Sequence, residues 1–286
     1  MENLDGKKRS LTDHCIVLYL ITLLLILLGQ FLGVFLEFIP FMVSSEFAIT
    51  ATLYFECIGM WIVTLLYLRF TKKNRPILQV VWTEAGGNNG KNLLLGIAIG
   101  FGLNGICILT AWLHHDISLE YDGFHLLQLM VLFVAVFVQS SAEELICRGF
   151  LYQRLLRSYG RPVIAIVGNS LLFAVLHLTN EGITALSVIN IFVVGVLFSL
   201  IVYYMDSLWC AMAVHTAWNF TQNILFGLPN SGMMVPYSVF KLDNASASNS
   251  FAYNVGFGIE GTLFADIVLI LACLAFFAWG RKQKKF

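Results

Sequence analysis

The sequence predicts an all-α, polytopic integral membrane protein: a bundle of about eight transmembrane helices forming one membrane domain over residues 1–286. Three observations carry that prediction. Of the 286 residues, 58% are hydrophobic and 12% charged, about half the charged share of soluble domains, and mean hydropathy is +0.80. The apolar residues gather into runs near 15–37, 47–69, 92–113, 126–150, 162–179, 184–204, 208–226 and 261–279, most close to the ~20 residues a helix needs to cross hydrocarbon. The connections between the runs alternate between basic and acidic.

Taken in order, the first run follows Lys7-Lys8-Arg9. It is longer than a signal-peptide core and lacks a small-residue cleavage site, so it reads as a retained span. Arg69, Lys72, Lys73, Arg75 and Lys91 follow the second run, and Arg154, Arg157 and Arg161 the fourth. Arg281, Lys282, Lys284 and Lys285 follow the eighth, while Glu37, Glu46, Asp116, Glu120, Asp122 and Glu181 fall in the alternate connections. The positive-inside rule then puts both termini in the cytoplasm of a multi-pass cell-membrane protein. In the third run Gly96, Gly100, Gly102 and Gly105 read as close-packing positions. Asn104, Asn190 and Asp266 read as interhelical hydrogen-bonding groups. Trp112, Trp218 and Trp279 lie at or near run ends and read as interfacial anchors. The longest connections are 70–91 and 227–258, the second with the glycosylation-type sequence Asn244-Ala245-Ser246. A net charge of zero argues against nucleic acid as a partner. The six cysteines are scattered singly, with no CxxC or zinc-type spacing, and read as reduced core residues.

Chemistry concentrates late in the chain. Glu143, Glu144 and Arg148 put three ionised groups into six residues of the fourth run, and intramembrane charges mark functional sites. On a helix Glu144 and Arg148 stand at i,i+4 and neutralise each other. Glu143 points about 100° away, free for chemistry. His177 ends the fifth run; His215 and Asn219 share a face of the seventh. The fourth and fifth runs form a hairpin turning near Gly160, with Glu143 seventeen residues before it and His177 seventeen after. Both then lie roughly 25 Å from the tip, at matching depth. One carboxylate, two imidazoles and one carboxamide support peptide hydrolysis in two ways. In the first, a carboxylate and a histidine activate water while a side-chain N–H stabilises the oxyanion. In the second, Glu143, His177 and His215 hold zinc, whose bound water attacks.

The motifs E-E-x-x-x-R (Glu143, Glu144, Arg148), F-x-x-x-H (Phe173, His177) and H-x-x-x-N (His215, Asn219), in that order on late helices, resemble the CPBP intramembrane proteases. That family includes the type II CAAX prenyl endopeptidases and bacteriocin-processing or self-immunity proteins. The stretch 256–261 is similar to a further segment of the family. The resemblance implies an intramembrane endopeptidase with core helices at 126–226, cutting a peptide or membrane-protein substrate near the cytoplasmic face of the lipid bilayer. In it Glu143 activates water with His177, and His215 and Asn219 assist or bind the oxyanion. Glu144, Arg148 and Phe173 give structural support. The competing function class is a non-catalytic immunity factor or scaffold of the same fold, binding a bacteriocin or another membrane partner.

Overall fold

The computed structural model describes residues 10–37 and 45–283; the basic residues Lys7, Lys8, Arg9, Lys284 and Lys285 lie outside them. The chain is almost wholly helical. In order come α1 (Cys15–Glu37), α2 (Glu46–Phe55), α3 (Ile58–Phe70), a short α4 (Leu78–Val81) and α5 (Gly90–Leu113). Then follow α6 (Leu126–Glu144), α7 (Tyr152–Tyr159), α8 (Pro162–Leu176), α9 (Ala185–Met205), α10 (Leu208–Asn219) and α11 (Leu263–Gln283). A two-stranded antiparallel ribbon, β1 (Leu119–Tyr121) with β2 (Phe240–Leu242), ties two connections together.

Among the described residues six helical runs are long and apolar enough to cross a membrane: Cys15–Phe35, Glu46–Phe70, Gly90–Leu113, Leu126–Tyr159, Ala185–Met205 and Leu263–Gln283. The expected count of eight is therefore not reached. The two runs that fall short are α8, with 15 residues, and α10, with 12. The reason is placement. Every α10 residue except Trp209 is buried, so this helix packs on protein and needs no lipid-matched apolar length. The outer helices behave oppositely: in the α1 window 22% of residues are buried, against 56% in the α6–α7 and α9 windows. On α1, Leu20, Leu24, Leu27 and Phe31 stay exposed as a lipid-facing stripe.

Close packing is set by small residues. Gly29 and Gly33 of α1 meet Met60 and the Glu56 carbonyl so tightly that a side chain would collide with backbone. Gly96 and Gly100 of α5 do the same against the Cys210 and Val214 carbonyls of α10. Gly102 and Gly105 face open space, so only half of the glycine set expected to pack does so. Asn104 donates to Gln222 at 2.7 Å and Asn190 to Asp266 at 2.9 Å, as interhelical bonds.

The connections sort to two ends. At one, Asp13 binds Lys73 and Arg154, each at 2.8 Å, and Gly87 donates to the Asp206 carbonyl at 3.2 Å. At the other, Lys241 bridges Glu46 at 3.0 Å and Asp122 at 3.1 Å beside the ribbon. The basic and acidic connections thus lie at opposite ends, as charge alternation requires. At the first end burial would raise the Asp13 carboxyl, but hydrogen bonds from Lys73 and Ser10 hold it at about 2.

Candidate active site

The two helices that carry most of the motif residues change their winding directly after them. Beyond Glu144 the α6 ladder becomes a π segment, Leu145–Leu151, before α7 resumes; beyond Asn219, α10 becomes a second, Phe220–Leu225. Single π turns are rare and recur at functional sites. Nothing in the apolar periodicity announces either one.

At the centre, Arg148 and Glu144 are fully buried and joined at 2.8 Å across i,i+4. Arg148 also donates to the Gly195 carbonyl at 3.3 Å, and its guanidinium lies 4.3 Å from the Phe173 ring centroid and 5.2 Å from that of Phe198. Two aromatic faces and one carboxylate thus enclose this cation. Glu144 is more than a counter-ion. Its Oε1 accepts from His215 Nδ1 at 3.0 Å, which fixes the imidazole's orientation and turns Nε2 away from Glu144. His215 Nε2 then comes within 4.0 Å of Glu143 Oε2, while Phe198 stacks on the ring at 5.2 Å.

Glu143 keeps a quarter of its side chain accessible, 26%, where Glu144 keeps none. The division into one scaffold carboxylate and one open one is therefore present. The imidazole beside Glu143, however, is His215, where the sequence pairs Glu143 with His177. His177 lies just past the end of α8, its Nδ1 on the Phe173 carbonyl at 2.7 Å, leaving Nε2 uncommitted. The Phe173 ring lies 4.7 Å from His177 and 6.3 Å from His215, so the three rings are contiguous. The depth argument holds: Gly160 closes α7 in the left-handed conformation, φ 66°. Glu143 and His177 each lie roughly 22–25 Å from that turn.

Asn219 donates through Nδ2 to Gln139 at 3.1 Å and Ser140 at 3.3 Å. Gln139 in turn donates to Glu143 Oε1 at 2.5 Å. Asn219 and Glu143 are thereby joined through a residue that sequence reading passes over. Its only sequence signal is position: one turn before Glu143, it is a polar residue following the apolar run 131–138. Three further groups come from outside the motifs. Asn230 donates to Asn219 Oδ1 at 3.1 Å and to Glu260 at 3.3 Å; Trp218 donates to Glu260 at 2.9 Å. Trp218, expected at the membrane interface, is buried; Trp112 and Trp279 are exposed. Burial pushes the Glu260 carboxyl up, against the donors of Ser231 and Trp218 and the charge of His177.

For zinc, the donor set is the test. Among the described residues no three His, Cys, Asp or Glu side chains gather so as to hold a metal ion, and Glu143, His177 and His215 as placed form no such group.

Residues 125–221 match the family model of the Rce1-like type II CAAX prenyl endopeptidases. The segment runs from the start of α6 into the second π segment and holds Glu143, His177, His215 and Asn219. No curated protein and no solved structure matches the chain.

Proposed function

Through residues 125–221 this chain belongs to the Rce1-like type II CAAX prenyl endopeptidase family, and from that premise we propose that it is an intramembrane endopeptidase working by glutamate-activated water. The observation that carries the reading is His215 held between two glutamates, one buried and one partly open. Glu143 takes the proton from the attacking water. His177, its Nδ1 already on a carbonyl, offers Nε2 to orient that water or to pass the proton to the leaving amine. His215 is kept aimed at the reacting centre by Glu144, which Arg148 neutralises. Asn219 supplies N–H donors for the oxyanion once a substrate carbonyl takes the place of Gln139 or Ser140.

Substrate enters from the basic, cytoplasmic end, because segments 229–231 and 258–260 cover Asn219 and Trp218 from the other direction. No step is routed through zinc, since the candidate ligands do not assemble into a set. Cells expressing wild type or Glu143→Ala at equal folded levels provide the test, by mass-spectrometric mapping of new peptide termini. New termini with wild type that vanish with Glu143→Ala are expected. The same termini with both proteins would remove Glu143 from the chemistry. No new termini with either would favour the scaffold or immunity role.

A further inference from the structure

Glu260 lies in a one-turn 3-10 helix, Ile259–Gly261, ahead of α11 and beyond the family-matched segment. It is 7% exposed and has four donors. Oε1 accepts from Trp218 Nε1 at 2.9 Å and Asn230 Nδ2 at 3.3 Å; Oε2 accepts from Ser231 N at 2.5 Å and Ser231 Oγ at 2.8 Å. These four use the acceptor capacity of an ionised carboxylate. Burying a carboxylate among neutral donors is costly. A loop that only had to sit on the bundle would be held more cheaply by apolar contacts.

What the four bonds hold is an unfavourable backbone. Ser231 has φ 48°, a left-handed conformation that a residue with a side chain rarely adopts. Its N–H and hydroxyl both end on Glu260. Gly258, at φ 82°, brings its Cα against the Pro229 carbonyl, where any side chain would collide. Gln222 fastens that same carbonyl at 2.5 Å, and Asn180, three residues past His177, donates to the Ser231 carbonyl at 2.9 Å. Segment 229–231 is thus gripped from three directions. Its one side-chain bond into the site is Asn230 Nδ2 to Asn219 Oδ1, 3.1 Å.

We propose that Glu260 is a positioning residue of the site: it clamps segment 229–231, and through Asn230 it holds the Asn219 carboxamide so that its Nδ2 faces Gln139, the neighbour of Glu143. The connection after α10 is therefore a wall of the site. That the positioned amide serves hydrolysis rests on the function proposed above; the clamp itself does not.

The experiment compares wild type, Glu260→Ala, Glu260→Gln and Asn230→Ser as full-length protein. It uses hydrogen exchange over 229–234 and steady-state cleavage of a quenched-fluorescent peptide ending in an S-farnesylated CAAX box. Loss of hydrogen bonds to a charged acceptor should speed exchange at 229–234 by about tenfold or more in Glu260→Ala. Exchange in α1 and α5 should stay unchanged. Misplacing Asn219 should lower kcat by about 100-fold with KM nearly constant. Glu260→Gln, which keeps the volume and part of the acceptor set, should fall between. Asn230→Ser should lower kcat in the same way. Unchanged exchange in Glu260→Ala, or fast exchange with wild-type kcat, would overturn the proposal. If wild type cleaves nothing, the hydrolase reading fails on this probe while exchange still decides the clamp. If Glu260→Ala does not fold, Glu260→Gln and Asn230→Ser carry the same comparison.

Discussion

Glu144 serves two partners at once, and each can be cut separately. Arg148→Ala leaves a fully buried carboxylate without its cation, a change that costs about 3–5 kcal/mol in comparable buried pairs. Folded yield and melting temperature in detergent should both fall. Adding Glu144→Gln removes the stranded charge and should restore yield. Cleavage should remain low, because the charged acceptor that aims His215 is gone. Restored activity in the double variant would mean that His215 needs no orienting carboxylate. The pairing of Glu144 with Arg148 was legible because i,i+4 spacing is a local property of a helix. The second bond, to a residue 71 positions away, is a tertiary contact that no local pattern encodes.

At the scale of the element, α10 carries His215 and Asn219, and its seat is the α5 surface at Gly96 and Gly100. A valine at Gly100 would drive its Cβ into the Val214 carbonyl, next to His215. Overpacking of this kind costs about 1–3 kcal/mol, and more when backbone must move. Gly100→Val should therefore lower the melting temperature and cleavage together. Gly102→Val, facing open space, should change neither; equal effects from both would show that α5 does not seat α10 in this way. The four glycines look alike in sequence, and only the helix phase relative to α10 separates them. The same limit hid the π segments, which shift the phase of α6 and α10 without changing composition.

For the whole molecule, the apolar runs and the alternation of charge were enough to place the helices, since each run is set by a local length requirement. The count of eight spans went too far because α8 and α10 are enclosed by protein and escape that requirement. Glu260, Asn230 and Trp218 stayed hidden for a related reason: the first two belong to a polar connection without periodicity, and the third looks like any span-end tryptophan. Topology follows from the two ends. Reporter fusions at Lys73 and Asn244 should report opposite sides of the membrane, and the same side for both would break the alternation. The clasp at the basic end gives a pH signature. The Asp13 carboxyl, near 3.8 when unfolded, sits at about 2 when folded, so its contribution is complete above 3.8 and lost as pH falls toward 2. Asp13→Asn should flatten that part of the stability profile; an unchanged profile would place the acid sensitivity elsewhere. The central claim is that Glu143 activates water, and the most direct measurement is cleavage of a farnesylated CAAX peptide by purified protein in liposomes, after exhaustive chelation. Wild type should keep its activity and Glu143→Gln should lose at least about 100-fold, at equal folded amounts. Undiminished cleavage by Glu143→Gln, or wild-type cleavage lost on chelation and restored by zinc alone, would contradict it.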